Sequence, residues 1–290
     1  MTGFAHPEFL VGTDWLAQHL RDPGVVVLDC TINLVPKPEV TYEVVPCRAE
    51  FERSHIAGAQ FIDVSRDLSD QQAKIRFMRQ SPADFAAAMR RFGISNTTRV
   101  VTYSTGNLWW ASRVWWLLRE FGHDNAAVLD GGYAKWAREG RPVETGTGTA
   151  RLAGDFTVRQ VRNLMADKAA VQAAMGNPAV CTLNALSAAQ HTGGGPTNYG
   201  RPGRIAGSLN LPAGDLLDPA TGCFLPPEEL RHRLGAVGAL DREVILYCGG
   251  GIAATADALA LIMLGHERVR VYDASLNEWA PDQTLPMEVG

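Results

Sequence analysis

Five short motifs recur in the same order in the two halves of this chain. His55-Ile-Ala-Gly-Ala59 matches Arg204-Ile-Ala-Gly-Ser208, and Val100-Val-Thr-Tyr-Ser104 matches Val244-Ile-Leu-Tyr-Cys248. Phe121-Gly-His123 returns as Leu264-Gly-His266, Val128-Leu-Asp-Gly-Gly132 as Val271-Tyr-Asp-Ala-Ser275, and Trp136 as Trp279. The offset is nearly constant: 149 residues from Ala59 to Ser208, 144 from Ser104 to Cys248, and 143 from His123 to His266 and from Trp136 to Trp279. One such match means little, whereas five in order at one spacing mean two copies of one domain. Each copy then has about 140 residues, an ordinary domain size. Between them, Gly140-Arg-Pro-Val-Glu-Thr-Gly-Thr-Gly-Thr149 is rich in Gly and Thr and has no apolar period, so it reads as a linker. The expected division is a first domain over 1–143, a linker over 144–154 and a second domain over 155–290.

Strands and helices alternate within each half. Val25–Leu28, Val100–Tyr103 and Ala127–Leu129 read as short buried strands. Ser81–Phe92 reads as a helix with Ser81 as cap and Pro82 at its first position, and Trp109–Phe121 as a second helix. Pro227–Leu234 and Ala253–Leu264 take these places in the other half. Such alternation implies an α/β fold: in each domain a mostly parallel sheet flanked by helices on both faces. Ligands of such sheets sit beyond the carboxyl ends of the strands. Trp109, Trp110, Trp115 and Trp116 stand at helical spacing and are expected to serve core and interdomain packing.

Composition narrows the class further. The 290 residues are 46% hydrophobic and 20% charged, enough apolar material for sizeable cores, and the net charge of −4 gives no basic surface for nucleic acid. No apolar run is long enough to span a bilayer, and the first residues carry no basic-then-apolar signal pattern. Five cysteines, Cys30, Cys47, Cys181, Cys223 and Cys248, are widely spaced with no Cys-x-x-Cys, which argues against a disulfide framework or a zinc site. A reducing cytoplasm is the expected location. Cys30 and Cys181 lie in apolar strand-like runs and read as structural; Cys47 and Cys223 read as loop thiols.

Cys248 differs from the other four. It ends an apolar run of strand length and is followed by Gly249-Gly-Gly-Ile-Ala-Ala254, which leads into a helix. Three glycines in a row let the backbone bend closely around something. N–H groups in such a turn, together with a helix N-terminus, bind anions, and the thiolate is both an anion and the reactive form of cysteine. The expected site is Cys248 with Gly249, Gly250, Gly251, Ile252, Ala253 and Ala254 as its anion-binding loop. No metal or organic cofactor is implied.

Over almost its whole length the chain resembles tandem-domain rhodaneses, a family of sulfurtransferases. The resemblance rests on Asp14-Trp-Leu16, Ser54–Ala59, Ala111-Ser-Arg-Val-Trp-Trp-Leu-Leu-Arg119, Leu129–Tyr133, Gly207-Ser-Leu-Asn-Leu-Pro212, the Cys248 loop and Tyr272-Asp-Ala-Ser-Leu-Asn-Glu-Trp279. It implies an inactive first domain, with Ser104 in the cysteine position, and an active second one. A serine hydroxyl needs an adjacent base and does not readily form a persulfide. The implied reaction moves a sulfane sulfur from an anionic donor (thiosulfate slightly favoured, 3-mercaptopyruvate the other) to Cys248. A thiophilic acceptor, such as cyanide or a thiol, then removes it. The alternative is a non-catalytic or relay module that carries persulfide to a protein partner.

Two departures from the family pattern bear on the donor. Relatives carry arginines where this chain has Leu186, in Asn184-Ala-Leu186, and Gln190. Each lost charge-assisted contact costs on the order of 1.5–3 kcal/mol. Arg204 and Arg201 are the expected replacements, with His55 and Arg113 from the first half as further candidates for substrate binding. A phosphatase is excluded, because the Cys-x5-Arg that grips phosphate would need arginine where Ala254 stands.

Overall fold

A computed structural model of the protein describes residues 3–37, 42–195 and 199–290. The first half builds a five-stranded parallel sheet from β1 (Leu10–Val11), β2 (Val25–Asp29), β3 (Gln60–Phe61), β4 (Arg99–Tyr103) and β5 (Ala126–Leu129), in the order β1-β5-β4-β2-β3. The second half builds β6 (Met165–Ala166), β7 (Val180–Asn184), β8 (Leu209–Asn210), β9 (Glu243–Tyr247) and β10 (Val269–Tyr272), in the order β6-β10-β9-β7-β8. The order is identical. The central strands β2, β4 and β5 are buried at nearly every position, as a sheet covered on both faces requires.

The two copies agree in detail. Tyr103 Oη accepts the Ile56 N–H at 3.3 Å, and Tyr247 Oη accepts the Ile205 N–H at 3.1 Å. Trp136 donates its indole N–H to Pro142 O and Trp279 donates its own to Pro286 O, at 2.9 and 3.1 Å. Each half also closes with a short antiparallel pair: His55–Ile56 with Val143–Glu144, and Arg204–Ile205 with Met287–Glu288.

Four helices matter for the site: α1 (Pro82–Arg91), α2 (Trp109–Glu120), α3 (Pro227–Ala236) and α4 (Ala254–Met263). Ser81 Oγ accepts the Asp84 N–H and caps α1, with Pro82 at its first position as expected. Helix α4 is buried at every residue. It packs against α2 of the other half, and the hydroxyls of Ser112 and Thr255 meet there at 2.8 Å. These residues are 143 apart, the repeat offset, so the halves face each other about an approximate two-fold axis. Residues 145–164 run back along the first half: Gly154 N–H donates to Arg90 O, Phe156 N–H to Ile94 O and Arg162 N–H to Glu120 O. No helix is long and apolar enough to cross a membrane among the described residues.

Candidate active site

Strand β9 ends at Tyr247 and α4 begins at Ala254, so Cys248–Ala253 form the turn between them at the carboxyl edge of the second sheet. The loop is held from outside by its carbonyl groups. Leu276 N–H donates to Cys248 O at 3.1 Å and Asn277 N–H to Gly249 O at 2.9 Å. Arg113 Nη1 donates to Gly251 O at 3.3 Å and Thr255 Oγ1 to Ile252 O at 2.7 Å. Two N–H groups, those of Cys248 and Gly251, donate to Ser275 Oγ at 3.1 Å each, and that hydroxyl donates onward to Tyr272 O. The N–H groups of Gly249, Gly250, Ile252 and Ala253 have no partner among the described residues. A backbone whose carbonyls are tied outward and whose N–H groups remain open is a receptor for negative charge beside a thiol.

The glycines have separate reasons. A Cβ at Gly249 would lie 2.1 Å from Tyr199 Oη, and one at Gly250 would lie 2.7 Å from Asn277 Nδ2. Gly251 has φ +71 and sits against Asp273 O, so it alone of the three also needs the left-handed region. Ser275 takes φ +51, a costly conformation for a residue with a Cβ, and it is this conformation that accompanies its bond to the loop.

Cys248 is 2% exposed and opens onto a cleft of about 510 Å³ between the halves. The first half contributes Ile32, Asn33, Tyr42, Phe77, Trp109 and Trp110 to its wall; the second contributes Leu186, Gln190, Tyr199 and Asp215. Burial first, and the neighbouring Cys248 second, push the Tyr199 phenol far up, so it stays protonated and able to donate. Burial also raises Tyr42, whose Oη accepts from Asn277 Nδ2 at 3.1 Å. Burial likewise raises the thiols of Cys30, Cys47, Cys181 and Cys223, which keeps them in the unreactive form. Cys47, expected as a loop thiol, is buried.

The four expected substrate cations and bases lie elsewhere. Arg201 spends its guanidinium on the carbonyls of Trp279, Ala280, Asp282 and Leu285, where it pins the chain after the last helix. Arg204 belongs to the closing strand pair, donating to Gly290 O and pairing with Glu288. His55 is fully buried in the first half, stacked 3.8 Å from the Phe51 ring and bonded through Nδ1 to Phe51 O. Arg113 reaches the loop from behind and is also buried. It donates to Phe77 O at 2.7 Å and pairs with Asp273 at 2.6 Å, as well as touching Gly251 O. None of the four lines the cleft. Of the tryptophans, Trp110, Trp115 and Trp116 are core, as expected; Trp110 and the half-buried Trp109 also form cleft wall.

Residue-by-residue reading passed over Ser275, Asp273, Asn277, Tyr199 and Tyr42. For Ser275 a signal existed: the repeat pairs it with Gly132, a small residue replaced by one with a hydroxyl. No comparable signal marked the tyrosines, which reach the loop only through tertiary packing.

The rhodanese-like domain family model matches residues 12–139 and again 194–282. The chain is 33% identical to the probable 3-mercaptopyruvate sulfurtransferase of Pseudomonas aeruginosa, over 97% of this chain and 98% of that protein. It is 31% identical to the sulfur carrier protein TtuD of Thermus thermophilus, over 99% of each. Among solved structures, the Escherichia coli 3-mercaptopyruvate sulfotransferase SseA superposes with a TM-score of 0.81 at 30% identity, covering 92% of this chain and 98% of that one.

Proposed function

The chain belongs to the rhodanese-like family, and we propose that it is a sulfurtransferase whose reaction runs through a persulfide on Cys248. The observation that carries this reading is the ring of open N–H groups at Gly249, Gly250, Ile252 and Ala253 around a thiol at a strand end. The Cys248 thiolate attacks the sulfane sulfur of an anionic donor. The bond from that sulfur to the rest of the donor breaks, and the remainder leaves with the bonding pair, as sulfite from thiosulfate or as an enolate from 3-mercaptopyruvate. The new Cys248–S–S⁻ carries its charge on the outer sulfur, which the same N–H groups stabilise. A nucleophilic acceptor then takes that sulfur and restores the thiolate.

In this reading the catalytic unit spans 155–290 and the inactive unit 1–143, with 144–154 as the link. The inactive unit still serves the site, since Arg113, Phe77, Trp109 and Tyr42 all reach it. Five unpaired cysteines support a cytoplasmic location. A relay role is the second reading, supported by the resemblance to a sulfur carrier protein and by a cleft without cations.

The test is mass spectrometry after incubation with thiosulfate or 3-mercaptopyruvate. A gain of one sulfur atom, mapped to Cys248 and discharged by cyanide, is expected. No adduct from either donor rules out the enzyme reading, and loading by a protein persulfide alone selects the relay.

A further inference from the structure

We propose that the cleft over Cys248 selects, as sulfur acceptor, an uncharged thiol on an aromatic or otherwise apolar body, with Trp109, Leu186 and Tyr199 setting that choice. The proposal rests on the persulfide reading above and adds the chemistry of the second substrate.

Size is the first argument. A cleft of about 510 Å³ falls in the range that encloses ligands of many heavy atoms, whereas cyanide or thiosulfate fills a small part of it. Charge is the second. Among the described residues, the only aspartate, glutamate, lysine or arginine in the wall is Asp215, on the exposed rim. The polar remainder is neutral: Asn33, Asn107, Ser187 and Gln190. Arg113, Arg201 and Arg204 are committed elsewhere, and Arg76 lines a neighbouring groove shared with Tyr42 and Phe77. Nor can the loop itself supply a cation at its second position, because Tyr199 Oη occupies the space a Gly249 side chain would need.

Surface is the third argument. Rings from Tyr42, Phe77, Trp109, Trp110 and Tyr199 converge on the cleft, with Leu186 beside them. Such a wall gains by covering apolar or aromatic surface and offers an anionic tail only desolvation and the repulsion of Asp215. A small anionic donor does not need this wall, since the loop N–H groups serve it. The body of the acceptor does.

The transfer step balances without a further reagent. The acceptor sulfur attacks the outer sulfur of Cys248–S–S⁻, forming a new S–S bond as the bond to Sγ breaks. Cys248 leaves as thiolate, and the thiol proton ends on the outer sulfur of the released hydropersulfide.

The experiment uses full-length protein loaded with one sulfur on Cys248 and follows persulfide discharge in single turnovers. Benzyl mercaptan is compared with 2-mercaptoethanesulfonate, a thiol bearing an anionic tail. Benzyl mercaptan is expected to discharge the persulfide at least about tenfold faster per mole. Leu186→Arg should lower that ratio by about tenfold by placing a cation in the wall, and Trp109→Ala should lower it by removing ring surface. Equal rates, a faster anionic thiol, or a ratio that neither variant moves overturns the proposal. Loading separates the two readings: a persulfide that forms but shows no preference sinks only this inference. Failure to load with any donor sinks the persulfide reading and this inference together.

Discussion

Ser104 and Cys248 follow the same strand of the same sheet in the two halves, yet only Cys248 lines the cleft between them. The contrast lies as much in what surrounds the two residues as in the residues themselves. In the second half Ser275 takes a left-handed backbone conformation and accepts the N–H groups of Cys248 and Gly251. In the first half the twin of Ser275 is Gly132, where even a Cβ would come within 2.5 Å of Ser104 O. Ser104 Oγ donates to Asn107 O and Thr105 N–H donates to Thr31 Oγ1, so the hydroxyl is tied into its own loop and the N–H next to it is already taken. The interface shows a similar asymmetry. Asp130 accepts the Phe224 N–H from the second half, and its twin Asp273 accepts the Arg79 N–H from the first. Only on the Cys248 side does an arginine join the aspartate: Arg113 pairs with Asp273, while its counterpart at the 143-residue offset is Ala256. The first half therefore serves as a buttress for the loop of the other one.

The sharpest way to break this comparison is to exchange the two residues. Cys248→Ser should reduce sulfur transfer by about a thousandfold or more, since the hydroxyl cannot carry the sulfur. Ser104→Cys should take up no sulfur at the substituted position from thiosulfate or 3-mercaptopyruvate. A sulfur adduct mapped to position 104 of that variant by mass spectrometry would show that the loops are equivalent after all.

Removing the buttress comes next. Arg113→Ala leaves Asp273 buried without its charge partner, which should cost roughly 3–5 kcal/mol of stability by denaturant titration. An unchanged midpoint would mean that the pair is not structural. Ser275→Gly copies the first half. It relieves a strained φ, so stability should hold within about 1 kcal/mol, but the loss of one acceptor for two loop N–H groups should lower kcat about tenfold. A kcat equal to that of the parent would remove Ser275 from the positioning of the loop.

Helices α2 and α4 offer a comparison of stability. Asp257 is fully buried in α4, both carboxylate oxygens lack a partner among the described residues, and burial raises its pKa well above the usual value. Its counterpart in α2 is Val114. The folded chain keeps this proton where the unfolded carboxyl, with a pKa near 4, has released it. The ionisation-linked cost of Asp257 is therefore absent below about pH 4, and stability is lost progressively as pH rises toward the folded pKa. Asp257→Val should be more stable than the parent by on the order of 1–3 kcal/mol at pH 8, with the gap narrowing toward pH 4. A gap that does not depend on pH would contradict the buried-acid account. The smallest effect is expected from Arg204→Ala: with its guanidinium on the chain end, donor KM should stay within about twofold.

Much of the architecture was legible because duplication and burial leave regular marks. The buried runs at Val25, Val100 and Val244 are strands, and Ser81-Pro82 opens a helix where capping chemistry says it should. The Cys248 loop was legible for the same reason, since three adjacent glycines have few backbone uses. The charges were not. Arg201, Arg204 and Arg113 looked available only because a sequence does not show which carbonyls and carboxylates a guanidinium meets. In the folded chain all three are consumed by the chain itself.

By itself the sequence determined that this protein is two copies of one α/β unit and that the copies differ at Ser104 and Cys248. These are properties of residue identity and order, and periodicity or self-comparison reads them directly. Only the tertiary structure decided what fills the space above Cys248. The cleft wall comes from segments as distant as Ile32, Trp109, Leu186 and Tyr199, brought together by the packing of α2 on α4. The physical reason is that burial and hydrogen bonding depend on neighbours in space, and here much of the wall over one copy's cysteine is supplied by the other copy.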